Sequence, residues 1–114
     1  MSDIQPHQPL REPTFYILLS LSPGSKHGYA IFKDVEILSE GRVLLSTGTL
    51  YGAIKRLLDR NWIKRVADPE PDSAERDRKA YALTEHGQRA LNAEVERLRK
   101  LVVVAQTRTA GETS

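Results

Sequence analysis

The sequence has no cysteine, one methionine, one tryptophan and two phenylalanines among 114 residues. Without cysteine there are no disulfides, no thiolate zinc sites and no cysteine nucleophile, and the chain suits a reducing compartment. No apolar run approaches the roughly 20 residues that span a bilayer, and the opening MSDIQPHQPLREP lacks the apolar segment of a secretory leader. A soluble, cytoplasmic protein with no membrane partner is expected. A P-loop, a dinucleotide-binding glycine motif, a zincin helix and a nucleophile elbow are all missing. The acidic pairs Asp34/Glu36 and Glu94/Glu96 stand two residues apart, on different sides of a helix, and form no catalytic dyad. His7, His27 and His86 are scattered along the chain, so neither metal nor cofactor is expected. Nothing points to an enzyme.

Charge is present, and it is unevenly placed. Between Arg42 and Arg65 lie Arg42, Lys55, Arg56, Arg60, Lys64 and Arg65 against the single acid Asp59, a local +5 inside a chain of net charge +2. The remainder is therefore −3. A basic block in an otherwise acidic chain fits two readings equally, a solvated helix face and an electrostatic footprint for a polyanion.

The apolar pattern divides the chain. Residues 1–9, with Pro6 and Pro9, read as a flexible arm. Pro13 suits the start of a helix that runs to Leu21, apolar nearly all round and so buried. Ser22-Pro23-Gly24-Ser25 stops it. A second helix is predicted from about His27 to Leu38, with Tyr29 read as a core or inter-helix residue, and Ser39-Glu40-Gly41 ends it. Val43-Leu44-Leu45 fits either one small strand or a packed linker.

Ser46 is placed to cap a third helix, from Thr47 to Asn61, with Leu50, Ile54, Leu57 and Leu58 on one face. The other face carries Gly48, Thr49, Gly52, Lys55, Arg56 and Asp59. Tyr51 stands at the border, where core packing and phosphate binding are equally open. Trp62–Ala67 and Lys79–Leu83 read as strands of a hairpin whose tip holds Pro69 and Pro71, with Trp62 as a core plug at its base. Thr84 caps a last helix, whose Leu91, Val95, Leu98, Val102 and Ala105 step by four and three like a heptad seam. Its Gly87, costly inside a helix, suggests close packing against the hairpin. That helix, over 84–106, would be roughly 35 Å long, too long for this domain to cover alone. Residues 107–114 are expected to fray.

The fold class is thus mainly α with a small β-hairpin: a winged helix-turn-helix over residues 10–83, followed by a long C-terminal dimerisation helix. In that arrangement the third helix buries its apolar side and offers its polar side to a major groove. Lys55 and Arg56 can reach phosphates or guanine edges, and Arg76, Arg78 and Lys79 an adjacent backbone or minor groove.

Three segments also resemble the PadR family of bacterial transcriptional regulators: His27-Gly28-Tyr29-Ala30-Ile31, Ser46-Thr47-Gly48-Thr49-Leu50-Tyr51, and Arg78-Lys79-Ala80-Tyr81-Ala82-Leu83-Thr84-Glu85-His86-Gly87. Thr47 stands where that family commonly has proline, and Gly52 where it has a larger residue. The resemblance implies a homodimeric repressor that binds a palindromic double-stranded operator and is released by a small hydrophobic or aromatic effector, although no residue marks a pocket for one. Expected DNA contacts are Thr47, Thr49, Tyr51, Lys55, Arg56, Arg78 and Lys79. The acidic wing tip (Asp68, Glu70, Asp72, Glu75, Asp77) would be repelled by phosphate. Expected dimer contacts are Leu91, Val95, Leu98 and Val102, with Phe15 and Leu18 of the first helix as a second layer. The alternative is a winged-helix protein–protein module without specific DNA binding, which salt dependence would distinguish.

Overall fold

Pro13 opens the first helix in its first turn, where a missing N–H costs nothing. The structure, a computed structural model, describes residues 9–67 and 79–113. Its elements are α1 (Glu12–Leu21), β1 (Lys26–His27), α2 (Gly28–Leu38), α3 (Thr47–Asp59), β2 (Ile63–Val66), β3 (Ala80–Leu83) and α4 (Glu85–Thr113). This is the winged helix-turn-helix order. The arm apart from Pro9, and the wing tip with Arg76, Arg78 and its acidic residues, lie outside the described residues. Among the described residues no helix is long and apolar enough to cross a membrane.

The sheet has three strands, in the order β1-β3-β2, all antiparallel. The hairpin is the predicted one. The additional strand β1 is only two residues long and its sequence is Lys26-His27, too short and too polar for any apolar alternation to announce it. Tertiary pairing creates it, with Lys26 opposite Tyr81 and His27 opposite Ala80. Lys26 then ties the layers together: its Nζ donates to the Ser20 carbonyl at 2.6 Å and lies 3.9 Å from Asp34.

The core gathers Ile17, Leu18 and Leu21 of α1, Ile31 and Val35 of α2, and Leu50, Ile54 and Leu57 of α3. Ile63, Tyr81 and Leu91 close it from the sheet and α4. Val43 and Leu45 pack on this core while Leu44 stays exposed, so the stretch is a linker and not a strand. Tyr29, read as a core or inter-helix residue, is instead 63% exposed. The inward face of α2 belongs to Ile31 and Val35; Tyr29, off that face, stacks on Phe32 beneath the Lys33 ammonium.

Both helices flanking the linker end in the same way. Gly41 N–H donates to Glu36 and Glu40 N–H to Ile37; Trp62 N–H donates to Leu57 and Asn61 N–H to Leu58. These paired bonds close each helix through a left-handed residue, Glu40 (φ 55°) and Asn61 (φ 63°). Asn61, expected inside the third helix, is therefore its terminator.

Two further expectations are corrected. Helix α4 does not fray at residue 107 but continues to Thr113, 29 residues in all, or about 43 Å. No proline interrupts it, and the Thr109 hydroxyl bonds back to the Ala105 carbonyl at 2.9 Å, within the helical ladder. Leu91 and Leu18, expected at a dimer interface, are 3% and 0% exposed. The protomer's own core already encloses them.

Candidate nucleic-acid interface

Ser46 starts α3 as its sequence predicts: the hydroxyl accepts the Thr49 N–H at 3.1 Å and donates to the Thr49 hydroxyl at 2.9 Å. With the start fixed, helical spacing decides the rest. Leu50, Ala53, Ile54 and Leu57 are buried, while Thr47, Gly48, Thr49, Tyr51, Lys55, Arg56 and Asp59 are exposed. The expected α3 contacts Thr47, Thr49, Tyr51, Lys55 and Arg56 thus all stand on the open side of one helix. Lys79, expected from the wing, is exposed just before β3, and Arg78 lies outside the described residues.

The basic block separates on folding into two groups. Arg42 is drawn to α1, with its guanidinium 3.3 Å from the Tyr16 hydroxyl and 3.9 Å from Glu12. The Tyr16 hydrogen bond, then the Glu12 charge, raise its pKa above the ordinary arginine value. Arg60 lies over the Trp62 ring at 5.1 Å, and Trp62 is half-buried against the core as expected. The second group, Lys55, Arg56, Lys64 and Arg65, is exposed on α3 and β2. Lys55 does meet Asp59 at 3.7 Å, but both side chains are mostly in water, where such a pair contributes little and yields readily to a stronger anion. The Arg56 guanidinium lies 3.7 Å from where a Cβ at Gly52 would be. The missing side chain at Gly52 thus leaves Arg56 free to lie along the helix.

Tyr51 is only partly open, at 45% exposure, because its phenol rests on Gly28. A Cβ at Gly28 would lie 2.9 Å from the Tyr51 Cζ and closer still to the hydroxyl oxygen. Near it Tyr81 is buried on the middle strand, directly opposite Arg65 of β2. Burial pushes the Tyr81 phenol above its ordinary pKa and Tyr51 adds to the rise, while Arg65 opposes it. The sequence reading paired none of these four residues, because their association depends on strand register. The only sequence signal was Gly28 directly before Tyr29 at a helix start.

The wing is joined to α4 at Thr84. Its hydroxyl donates to the Asn61 carbonyl at 2.6 Å and accepts the Gly87 N–H at 2.9 Å. Gly87 lies directly on the Trp62 carbonyl, leaving no room for a Cβ, which is the close packing its sequence position suggested. Farther along, Glu94 is buried and receives two bonds from Arg97, at 2.9 and 2.7 Å. Of the remaining expected dimer residues, Phe15 and Leu98 are half-buried, whereas Val95 and Val102 are exposed. Leu101, Val103 and Val104 are exposed with them. Among the described residues no group of three or more His, Asp or Glu side chains is arranged to hold a metal.

Residues 17–93 match the transcriptional regulator PadR-like family. Among solved structures, a PadR family transcription regulator from hypervirulent Clostridium difficile R20291 is 27% identical, with a TM-score of 0.71 over 87% of this chain and 99% of that one. Bacillus subtilis PadR in complex with operator DNA is 24% identical, with a TM-score of 0.62 over 75% of this chain and 46% of that one. F93 from STIV, a winged-helix DNA-binding protein, is 22% identical, with a TM-score of 0.66 over 83% of this chain and 96% of that one. No curated protein matches the sequence.

Proposed function

We propose, because the chain belongs to the PadR-like family of transcriptional regulators, that it is a homodimeric repressor whose α3 enters the major groove of a palindromic operator. The observation that carries this reading is the division of α3. Its apolar side is locked into the core, and Thr47, Thr49, Tyr51, Lys55 and Arg56 are left on the open side. Such a helix can lie in a groove without disturbing the fold. Lys79 and Arg78 would meet the backbone from the wing, supplying affinity and register more than sequence selection.

Dimerisation would use Val95, Leu98 and Val102, extended by Leu101, Val103 and Val104, with Phe15 at its margin. Water disfavours exposed apolar surface by about 25 cal/mol per Å², and a second copy is the partner at hand. A two-fold pair presents its recognition helices about 34 Å apart, which asks for two inverted half-sites. A small hydrophobic or aromatic effector would bind among the apolar side chains that the pair encloses, and would act by changing that spacing.

The test is selection of duplex DNA from a random pool by the purified protein, followed by footprinting and titration at several salt concentrations. The expected result is an inverted-repeat site whose affinity falls log-linearly with salt. Failure to enrich any sequence, or an affinity indifferent to salt, would leave a winged-helix protein–protein module as the better reading. Adding hydrophobic and aromatic compounds to the same titration tests release.

A further inference from the structure

Arg65 of β2 stands directly opposite Tyr81 of β3, and cross-strand partners point to the same face of a sheet. Tyr81 is buried while Arg65 is exposed, so the guanidinium shares the face of the phenol and is open to water. A neutral phenol beside a guanidinium leaves its charge uncancelled and most of its five N–H donors available. The same phenol interacts with Tyr51 of α3. Tyr51 is in turn held at its far end by the bare Cα of Gly28 on α2. Residues from α2, α3, β2 and β3 are thus linked through two side chains open to water, the half-exposed Tyr51 and the exposed Arg65.

We propose that Arg65 is a DNA-backbone contact working beside Tyr51, and that Gly28 and Tyr81 are positioning residues that hold these two donors together on one strand. The proposal rests on the DNA-binding reading above and adds to it a contact from the body of the wing, well before its tip. A hydroxyl and a guanidinium side by side suit a phosphodiester, which offers acceptor oxygens and one negative charge. Lys64, the next residue, alternates to the opposite face and takes no part.

The experiment uses the full chain and a duplex selected from a random pool by the wild type, with a scrambled duplex beside it. Arg65→Gln is expected to weaken both duplexes alike, by about tenfold, and to lower the salt slope by about one. Gly28→Ala adds one methyl against the Tyr51 phenol and is expected to weaken binding by a similar factor, with the salt slope unchanged. In the Tyr51→Phe background, Gly28→Ala should cost little more, since it acts through the Tyr51 hydroxyl. Tyr81→Phe, which adds no atoms, should weaken binding and shrink the effect of Arg65→Gln; it carries the positioning test should Gly28→Ala fail to fold. Wild-type affinity and slope in Arg65→Gln, with Lys55→Ala still impaired, would overturn this inference and leave the DNA-binding reading standing. Independent, multiplicative losses in the Gly28/Tyr51 and Tyr81/Arg65 cycles would overturn the positioning roles. A wild type that selects no duplex would remove both proposals.

Discussion

The helices α3 and α4 are both partly open to water, but they expose opposite things. On α3 the apolar side chains are inside and the open face is hydroxyls, cations and glycine. On α4 the anchored first turns bury Gly87, Leu91 and Glu94, while beyond Leu98 the run Leu101-Val102-Val103-Val104 is bare. Water satisfies the first surface fully, so that surface persists in the isolated protomer and can wait for a polyanion. The second is not satisfied by water. Four successive apolar residues at 100° each cover the whole circumference of the helix, so a partner touching one seam leaves half of them wet. The lesson is that exposure alone is not a signal of function; what is exposed indicates whether the protomer is finished.

Placing a charge in the apolar run should break the contrast most severely. Val102→Asp is expected to give a folded protomer of 12.8 kDa in sedimentation equilibrium, where the wild type is expected at twice that mass. Loss of the second arm should lower operator affinity by at least about 100-fold. Val102 is the sharper choice than Leu98, because Leu98 is half-buried in its own protomer; a Val102→Asp protein that remains dimeric would refute the assigned surface. Gly87→Ala strikes the joint between the two regions, and its methyl meets the Trp62 carbonyl group. Overpacking of this kind should reduce stability by about 1–3 kcal/mol, read from the midpoint of urea unfolding; an unchanged midpoint would mean the joint yields.

On α3 the expected effects lie in binding and not in folding. Lys55→Ala and Arg56→Ala should leave mass and unfolding midpoint unchanged, and each should weaken operator binding by about 1–3 kcal/mol where it reads a guanine. Equal affinity for both variants and the wild type, in a fluorescence-anisotropy titration, would show that the wrong face was assigned. The smallest effect is expected at Ser46→Ala, which removes the cap seen at the Thr49 N–H. About 1 kcal/mol of stability should be lost, with no change in oligomeric state.

Local chemistry was legible in the sequence. The caps Ser46 and Thr84, the buried side of α3, the hairpin and the tight spot at Gly87 all follow from residues near one another in the chain, and the structure has them. What escaped was set by distant partners. β1 exists only because Tyr81 and Ala80 pair with it. Tyr29 satisfied an apolar spacing, yet Ile31 and Val35 took the inward face of its helix. Leu91 satisfied the seam expected of a dimer and Leu18 the second layer behind it, but an apolar pattern does not say whether the covering surface belongs to the same chain. The grouping of Tyr51, Tyr81, Arg65 and Gly28 needs four elements and a strand register, and no spacing along the chain encodes it.

Thr84, bonded to Asn61 just past the end of α3, ties the base of α4 to the base of the proposed recognition helix. A rod of about 43 Å pivoting by about 5° moves its far end by about 4 Å. In the proposed pair, an adjustment of a few ångströms where two such rods meet would become a rotation of each protomer's α3. Two half-sites on a duplex tolerate little such rotation, because each helical turn repeats every 34 Å or so. The small bonded joint at Thr84 and Gly87 would therefore transmit the angle of the pair to the spacing of the site.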